Sequence, residues 1–400
     1  MTFLVLGLAR SGRAAALALA RRGDRVVAVD RSPDADTGRL ADAGVEIHLG
    51  TEETSLLEGV DVLIKSPGVP AEAPLVTAAR ERGVPVWSEV ELGGRLLSTP
   101  ILGVTGTNGK TTTTALLGEM LGAPVAGNIG RALTELEDGG RWIVCELSSF
   151  QLEDIHDFRP RIAVLLNLEP DHLDRHASFE AYRDAKLRIF ENQGPDDVAV
   201  VPRGFGELPG RARRVEFSGD DPLPAEPRIP GAHNRENAAA AVAAARETGA
   251  SEKRIAKALR EFPGVPHRLE EVGEIGGVRF VNDSKATNAA AARRAIASFD
   301  APLHVILGGL GKDESYAELA ADLRTRNARA YLIGAAADEL AASIPDAERS
   351  GDLATAVRSA ATAAEPGDVV LLSPACASYD QFRDFEERGE EFRRLVRELA

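Results

Sequence analysis

The sequence predicts an α/β protein of three domains, each built on a doubly wound sheet whose strands run mostly parallel. Short apolar runs alternate with helix-like segments along the chain, which is the pattern of βαβ units. The 400 residues exceed the usual size of a single domain, roughly 100 to 200 residues. The pattern breaks at "LLSTP" (96–100) and at the proline-rich "FPGVPHR" (262–268). We therefore expect domains at residues 1–99, 100–264 and 265–400.

The first domain is expected to be Rossmann-like. The pattern predicts helices near residues 13–22 and 73–82 and strands at "TFLVL", "RVVAVD", "VEIHL", "VDVLI" and "VPVW". Gly7, Gly12 and the acidic Asp30 match a dinucleotide-binding fingerprint around the turn "GLARSG". The middle position is Ala9, where a glycine would let the backbone approach a pyrophosphate. The turn therefore disfavours NAD and favours a related pocket, such as one for a nucleotide sugar.

The second domain is expected to be a doubly wound sheet of the P-loop ATPase type. "GVTGTNGKTTTT" (103–114) lies between an apolar strand and the helix-like "ALLGEML". In a phosphate loop, backbone N–H groups surround the phosphates, a lysine binds their oxygens and the next hydroxyl ligates magnesium. These roles would fall on 106–109, Lys110 and Thr111. The generic spacing needs a glycine where this chain has Val104, so an ordinary glycine-rich turn is the alternative.

Polar side chains follow the next two predicted strands, where ligands of open α/β sheets gather. Glu146 ends "RWIVCE" and is either a magnesium ligand or a solvated carboxylate. "EPDHLDRH" follows "RIAVLLNL" and brings Asp171, His172, Asp174 and His176 to the same edge. The two histidines are four residues apart and could bind zinc, but no third ligand has a convincing spacing. A phosphate site favours a hard cation instead.

Lys186 has an unusual position in the helical pattern "SFEAYRDAKLRIFEN". It shares a face with Phe179, Tyr182 and Ile189, which places it on the apolar stripe of the helix. Its amine either reaches water at the end of its long side chain or is partly desolvated. Desolvation would favour the neutral, nucleophilic amine.

The rest of the chain supports a third, Rossmann-like α/β domain. A Pro- and Gly-rich stretch (194–231) and two helices complete the second domain, and we expect short strands in the irregular stretch. The third domain contains the strands "VRFVND", "LHVILGG", "ARAYLIG" and "GDVVLLSP" and a final helix from about residue 380. Three strand ends carry "NDSKATN", "GGLGKD" and "SPACAS", which offer lysine, hydroxyl and backbone donors to an anion. The candidates are Lys285, Thr287, Lys312 and Ser378, although exposed loop lysines are often only solvated.

Composition excludes several classes of protein. The net charge of −15 argues against a nucleic-acid-binding surface. The two cysteines, Cys145 and Cys376, lie far apart in sequence and give no disulfide framework, so a reducing cytoplasm is the expected location. No apolar run approaches the roughly 18 residues needed to cross a membrane. We expect neither a nucleic acid nor a membrane as partner.

Together, these motifs resemble the Mur ligases of peptidoglycan synthesis, and the match covers all three domains. The matching segments are "GTNGKTTT", "NIG", "ELSSFQL", "DHLDRH" with "YRDAK", "GAHNRENAAAA", "PHRLE", "NDSKATN" and "LSPACASYDQFRDFEERGEEF". The phosphate loop is shared with folylpolyglutamate synthases, whereas the C-terminal block is much more specific. "GLARSG", "SPGVP" and "SPACASYDQF" resemble the members of the family that add D-glutamate.

The resemblance implies a reaction and its cofactors. The γ-phosphoryl group of ATP would pass to the carboxylate of UDP-N-acetylmuramoyl-L-alanine, and the amine of D-glutamate would attack the resulting acyl phosphate. Thr111 and Glu146 would hold one Mg²⁺ ion, and His172 and Lys186 a second. The resemblance also implies that Lys186 is carbamylated, which fits a lysine on an apolar stripe.

The resemblance assigns the remaining site residues to three ligands. It assigns ATP to Gly106, Thr107, Asn108, Gly109, Lys110, Thr111, Thr112, Asn234, Asn237, Arg268 and Asp283. It assigns the acceptor to Arg10, Ser11, Asp30, Arg31, Ser66, Gly68 and Asn128, with His172 also near it. It assigns D-glutamate and the tetrahedral intermediate to Lys285, Thr287, Lys312, Ser378 and Phe385.

Such a site draws groups from all three domains of a monomer, so we expect it to form by domain closure about the joint at 263–266.

Two other functions are compatible with parts of the sequence. The first is a sister ligase that adds another amino acid, or glutamate to folate. The second is a nucleotide-binding regulator without ligase chemistry, which would have no use for Lys186 or for the residues assigned to the amino acid.

Overall fold

The computed structural model describes residues 1–172, 175–311 and 315–399. The chain forms two compact units, one of residues 1–227 and 233–261 and the other of residues 228–232 and 262 onwards. The first unit contains two sheets and the second unit contains a third. No helix within the described ranges is long and apolar enough to cross a membrane.

The first sheet has the strand order β3-β2-β1-β4-β5, and all its strands are parallel. A Cβ at Gly12 would lie 1.8 Å from the carbonyl oxygen of Gly7, so only glycine lets α1 pack this closely on the turn after β1. The strands are β1 (Thr2–Leu6), β2 (Arg25–Asp30), β3 (Glu46–Leu49), β4 (Val62–Lys65) and β5 (Val86–Ser88). The helices are α1 (Arg10–Arg21), α2 (Pro74–Glu81) and α3 (Glu89–Leu96).

The second sheet is also parallel, in the order β11-β10-β9-β6-β8-β7. The strands are β6 (Ile101–Thr105), β7 (Val125–Gly127), β8 (Ile143–Glu146), β9 (Ile162–Leu165), β10 (Val198–Pro202) and β11 (Arg213–Phe217). The helices are α4 (Lys110–Leu121), α5 (Ser149–Leu152), α6 (Phe179–Leu187), α7 (Ala232–Glu247) and α8 (Glu252–Glu261). Short 3₁₀ helices occur at Thr54–Leu57, Leu133–Glu135 and Arg188–Phe190.

The third sheet has the order β12-β13-β17-β14-β15-β16 and is parallel except for the β12–β13 pair. The strands are β12 (Glu270–Ile275), β13 (Val278–Asn282), β14 (Leu303–Gly308), β15 (Arg329–Ile333), β16 (Glu348–Gly351) and β17 (Val369–Leu372). The helices are α9 (Ala289–Ala297), α10 (Ala317–Thr325), α11 (Ala337–Ser343), α12 (Leu353–Ala363) and α13 (Phe385–Glu398). Apolar side chains on both faces of this sheet form two buried clusters.

The α/β fold with three mostly parallel sheets is confirmed, and several elements add detail to the sequence pattern. The irregular stretch 194–231 contains β10 and β11. The short elements α3, α5, β7 and β16 and the antiparallel edge strand β12 have no clear periodicity in the sequence. The final helix, α13, begins at Phe385 rather than near residue 380, because the side chain of Asp384 caps it by accepting a hydrogen bond from the N–H of Glu387.

The side chain of Glu91 joins the first sheet to the second within the first unit. Glu91 lies on α3 and is 0% exposed. Its carboxylate accepts hydrogen bonds from the backbone N–H groups of His156, Asp157 and Phe158, at 2.8 to 3.1 Å. It also accepts from Nε of Arg95 at 2.6 Å. The segment before β9 is therefore held by a buried and fully engaged carboxylate.

A buried arginine organises the carboxyl edge of the third sheet. Arg388 on α13 is 0% exposed. Its Nη2 donates to the carbonyl oxygens of Ser284 and Cys376 at 2.8 and 3.1 Å, and its Nε donates to Oγ of Ser284 at 3.0 Å. Its Nη1 lies 3.4 Å from the carbonyl oxygens of Gly308 and Ala377. One guanidinium thus holds the loops that follow β13, β14 and β17, and burial lowers its pKa to about 10.

Replacing Arg388 by Met is expected to lower the free energy of unfolding by about 3 kcal/mol or more. Several buried carbonyls would lose their donor, and each costs roughly 1–3 kcal/mol. Guanidinium unfolding of the full chain measures the change. The control is Arg394→Met on the same helix, whose side chain is 53% exposed and whose loss should have little effect. Equal stabilities of the two variants would contradict the role of Arg388.

Candidate active site

The phosphate loop lies between β6 and α4, as the sequence predicts. Gly109 precedes the first residue of α4 and adopts a left-handed conformation with φ of 81°. A Cβ at this position would lie 2.0 Å from Oδ1 of Asn237. The left-handed backbone conformation and the lack of room for a Cβ therefore both favour glycine. Asn237 on α7 is therefore beside the loop. The N-terminus of α4 presents backbone N–H groups where an anion would be bound.

Two lysines contact the same carbonyl oxygen of this loop. Nζ of Lys110 donates to the carbonyls of Gly106 and Thr107, both at 2.9 Å. Nζ of Lys186, on α6, donates to the carbonyl of Gly106, also at 2.9 Å. The sequence placed these lysines in different motifs, and the fold brings their amines together.

Lys186 is buried rather than extended to solvent. Its exposure is 2%, and its amine lies 4.6 Å from the ring centroid of Tyr182. Burial, and next the charge of Lys110, lowers the pKa of Lys186 to about 6. The amine of Lys186 is therefore largely neutral near pH 7 and has a nucleophilic lone pair.

The outer wall of the loop is built by residues that the sequence did not identify as site residues. Asn167, just after β9, accepts a hydrogen bond from the backbone N–H of Asn108 at 2.8 Å. Glu169 accepts from Nδ2 of Asn108 at 2.8 Å. The hydroxyl of Tyr182 donates to Oγ1 of Thr107 at 3.1 Å. The signal for Asn167 and Glu169 was their place directly after a buried strand.

Glu146 lies at the end of β8, opposite Val104 of β6, and is 1% exposed. Its Oε1 accepts a hydrogen bond from Nδ2 of Asn128 at 2.8 Å. Its Oε2 is buried and has no hydrogen-bond partner among the described residues. A buried carboxylate oxygen without a donor suits a bound cation. Thr111, in the first turn of α4, is also buried.

The two predicted histidines have different surroundings. His172 has a positive φ of 53°, and 48% of its side chain is exposed. His176 is buried, and its Nε2 lies 3.0 Å from Oγ of Ser149. Within the described ranges, no cluster of three or more His, Cys, Asp or Glu side chains could hold a metal ion. Asp174 lies outside the described residues.

A cavity of about 460 Å³ lies at the carboxyl edge of the first sheet and extends to β7 of the second. Seven of the residues that the sequence assigned to the acceptor line it, as do Glu52 and Gln151, which the sequence did not assign, whereas His172 does not line it. Arg10 crosses between the two sheets, because its Nη2 donates to the carbonyl of Asn128 at 3.2 Å. The predicted lining residues are Arg10, Ser11, Asp30, Arg31, Ser66, Gly68 and Asn128.

In the second unit, Asp283 is buried at the end of β13. Burial raises the pKa of Asp283 to about 6, although the nearby Arg268 opposes this shift. Ser373 donates to Oδ2 of Asp283 at 2.8 Å. Nε of Arg268 is buried without a hydrogen-bond partner among the described residues. The backbone N–H of Leu269, the residue after Arg268, donates to Oδ1 of Asp283 at 3.2 Å, so Arg268 and Asp283 lie near each other.

The remaining predicted residues of the second unit that the structure describes lie on α13 or in the loops held by Arg388. Nζ of Lys285 lies 5.5 Å from the ring centroid of Phe385. The backbone N–H of Thr287 donates to the carbonyl of Lys285 at 2.9 Å. Ser378 is buried. Lys312 lies outside the described residues, and Asn234 is buried on α7 of the first unit.

Three family models match the chain. Residues 1–88 match the MurD-like N-terminal domain of Mur ligases, 104–205 the Mur ligase middle domain, and 267–376 the glutamate ligase domain of Mur ligases. Among curated relatives, the UDP-N-acetylmuramoylalanine–D-glutamate ligase of Anaeromyxobacter dehalogenans is 45% identical, over 99% of this chain and 97% of the relative. The ligase of the same name from Bacillus subtilis is 40% identical, over 98% of this chain and 96% of the relative.

Solved structures share the fold at low sequence identity. The MurF ligase of Thermotoga maritima in complex with ADP has a TM-score of 0.63 at 18% identity, over 94% of this chain and 96% of that one. The UDP-N-acetylmuramate–alanine ligase MurC of the same organism has a TM-score of 0.61 at 20% identity, over 100% and 99% of the two chains. The fold, the family models and the near full-length relatives lead to one conclusion: the chain belongs to the Mur ligase family.

Proposed function

We propose that this protein is an ATP-dependent ligase that adds D-glutamate to UDP-N-acetylmuramoyl-L-alanine in peptidoglycan precursor synthesis. The names of its curated relatives support this substrate pair. One structural observation carries the proposal. Asn128 lines the cavity of the first sheet while its amide holds Glu146 beside the phosphate loop. A ligand in the cavity can therefore extend toward a phosphate bound at that loop.

The proposed reaction has two steps. A carboxylate oxygen of the acceptor attacks the γ-phosphorus of ATP, the bond to the β–γ bridging oxygen breaks, and ADP leaves. The amine of D-glutamate then attacks the acyl carbon, and an amide, inorganic phosphate and a proton result. Both steps require two anions to approach each other, so positive charge and N–H dipoles must offset their repulsion.

The phosphate loop supplies these groups for ATP. Its backbone N–H groups and the N-terminus of α4 would surround the phosphates, and Lys110 would exchange its carbonyl partners for phosphate oxygens. A solved folylpolyglutamate synthase/dihydrofolate synthase from Yersinia pestis with the same fold was complexed with AMPPNP and a manganese ion. The proposed further contacts to ATP are Thr112, Asn234, Asn237, Arg268 and Asp283.

We assign Mg²⁺ to Thr111, Glu146, His172 and Lys186. The donor-free buried oxygen of Glu146 fits a hard cation. When bound, Mg²⁺ would neutralise charge on the phosphates and on the acceptor carboxylate. Glu146 would be kept in place by Asn128, and His172 by a T-shaped contact with the Phe150 ring, 5.1 Å away between centroids.

Lys186 would act as a carbamate rather than as an amine. A buried neutral amine can add to CO₂, which forms an N–C bond and releases a proton, and the product is a carboxylate at the same place. The change places an anion next to the ammonium of Lys110, so an attractive contact takes the place of the repulsion that a protonated Lys186 would cause at the loop. It also supplies oxygen ligands, which a magnesium ion prefers.

The acceptor and the amino acid would bind in different parts of the protein. We place the nucleotide and sugar in the cavity lined by Asp30 and Ser66, and D-glutamate with Lys285, Thr287, Ser378, Phe385 and Lys312. A cation beside an aromatic ring at Lys285 and Phe385 offers a site for a carboxylate next to an apolar surface.

Cys145 and Cys376 are unbridged, which supports a cytoplasmic location.

The substrate assignment is tested with a panel of amino acids and acceptors. With ATP and Mg²⁺, we expect phosphate release and a product of the expected mass only for UDP-N-acetylmuramoyl-L-alanine plus D-glutamate. Other amino acids, other Mur acceptors and folate serve as competitors in the same assay. Equal turnover with a different pair would replace the proposed substrates, and ATP binding without any turnover would favour a nucleotide-binding regulator.

Replacing Lys186 by Ala is expected to reduce ligation by at least about 10³-fold, because the carbamate ligand would be lost. ATP binding should change little, since the contacts of Lys110 and the backbone of the loop remain. Steady-state phosphate release and calorimetric titration with a non-hydrolysable ATP analogue measure the two effects. The control is Lys257→Ala on the exposed face of α8, which should leave both unchanged. Unimpaired turnover of Lys186→Ala would remove the metal assignment.

A further inference from the structure

Lys65 is a buried lysine that none of the steps above uses. It is the last residue of β4, and its side chain is 0% exposed. The five residues that follow it, 66–70, line the cavity proposed for the acceptor. We call these residues the SPGVP loop. A lysine is almost never fully buried unless its charge is paired. The partners of the Lys65 ammonium therefore indicate which parts of the protein this buried charge holds together.

Those partners belong to the second sheet's domain. Nζ of Lys65 lies 3.0 Å from Oδ2 of Asp154 and 3.7 Å from Oε2 of Glu153. Both acids directly follow α5, the helix that carries the cavity residue Gln151. Asp154 is itself held, because Oδ1 accepts from Nη2 of Arg80 at 3.0 Å and its carbonyl accepts from the N–H of Ser88 at 2.8 Å.

The same amine also fixes the SPGVP loop directly. Nζ of Lys65 donates to the carbonyl of Val69 at 3.4 Å. A second cation, Arg175, approaches the same carbonyl with Nη2 at 3.4 Å, and its guanidinium lies 4.6 Å from the ring centroid of Phe150. Lys65, which is paired with Asp154, and Arg175, which belongs to the second domain, therefore both contact the carbonyl oxygen of Val69.

The contacts continue from Glu153 to α6, the helix that carries Lys186. Oε1 of Glu153 lies 3.5 Å from Nδ1 of His176. The ring of His176 stacks on Phe150 at 5.4 Å and meets Tyr182 edge-on at 5.3 Å. Tyr182 contacts both Thr107 of the phosphate loop and Lys186. A continuous series of contacts therefore runs from the SPGVP loop to the groups proposed to activate ATP.

We propose that Lys65 is a positioning residue for the acceptor. Its ammonium, paired with Asp154 and Glu153, fixes the SPGVP loop relative to the segment after α5. The distance between this wall of the cavity and the phosphate loop therefore stays constant. This inference rests on the proposed function, since it concerns where the acceptor carboxylate meets the γ-phosphate. A displacement of about 1 Å at such a place can cost as much as 10²-fold in rate.

The first test is Lys65→Met, which keeps the length of the side chain and removes its charge. We expect the KM for UDP-N-acetylmuramoyl-L-alanine to rise about tenfold or more, because the loop that holds it is released. The KM for ATP should stay within about twofold, since the phosphate loop retains its own contacts. An unchanged acceptor KM in a folded variant would overturn the proposal.

The matched control is Glu91→Gln, which removes another buried charge that joins the same two sheets. Glu91 holds residues 156–158 and does not line the cavity. We expect Glu91→Gln to lower the melting temperature without changing the acceptor KM. If Glu91→Gln raises the acceptor KM as much as Lys65→Met, Lys65 has only a general structural role and the proposal is wrong.

A second measurement applies even if Lys65→Met folds poorly or the wild-type protein does not ligate. Asp154→Asn removes the nearer charge of the ion pair and keeps the shape of the side chain. In the resting protein we expect hydrogen exchange at Ser66, Gly68 and Val69 to accelerate in Asp154→Asn, while exchange at the segment held by Glu91 stays unchanged. Unchanged exchange at these three loop residues would overturn the proposal that the ion pair fixes the SPGVP loop. Absence of product from the wild-type protein would instead contradict the proposed function.

Discussion

The site depends on two lysine amines that share one carbonyl oxygen. Lys110 and Lys186 both donate to Gly106, one from the start of α4 and one from α6. Two cations cannot remain close together in a buried place without a cost, and burial already shifts Lys186 toward its neutral form. The ring of Tyr182 and the phosphate loop hold Lys186 where it is. A reactive amine is thus fixed beside a site built for anions.

Under the proposed function, this arrangement would let a single unit hold the two anionic groups that react. The cavity of the first sheet and the phosphate loop of the second meet at Asn128, whose side chain binds Glu146 and whose carbonyl accepts a hydrogen bond from Arg10. Buried charges such as Glu91 and Lys65 join the two sheets through backbone and side-chain contacts. The second unit has its own organising charge in Arg388, which holds three strand-end loops together.

Much of this could be predicted from the sequence because the signals are local. Strand–loop–helix order located the phosphate loop, and the three- and four-residue spacing around Lys186 predicted its place on an apolar face, now seen as 2% exposure. Arg388 and Lys65 could not be found in this way. Arg388 lies among glutamates in "FEERGEEF", which is typical of an exposed helix. One of its partners, Ser284, lies 104 residues earlier in the chain. Long-range carbonyl partners and the antiparallel strand β12 leave no periodic pattern.

The acyl-phosphate step is the central claim, and an isotope experiment tests it most directly. The acceptor is prepared with ¹⁸O in the carboxylate of its alanine and incubated with the protein, ATP, Mg²⁺ and D-glutamate. If that carboxylate attacks the γ-phosphate, one ¹⁸O must leave with phosphate when the amide forms, so we expect inorganic phosphate that carries one ¹⁸O per product. Product formation with unlabelled inorganic phosphate would contradict the mechanism.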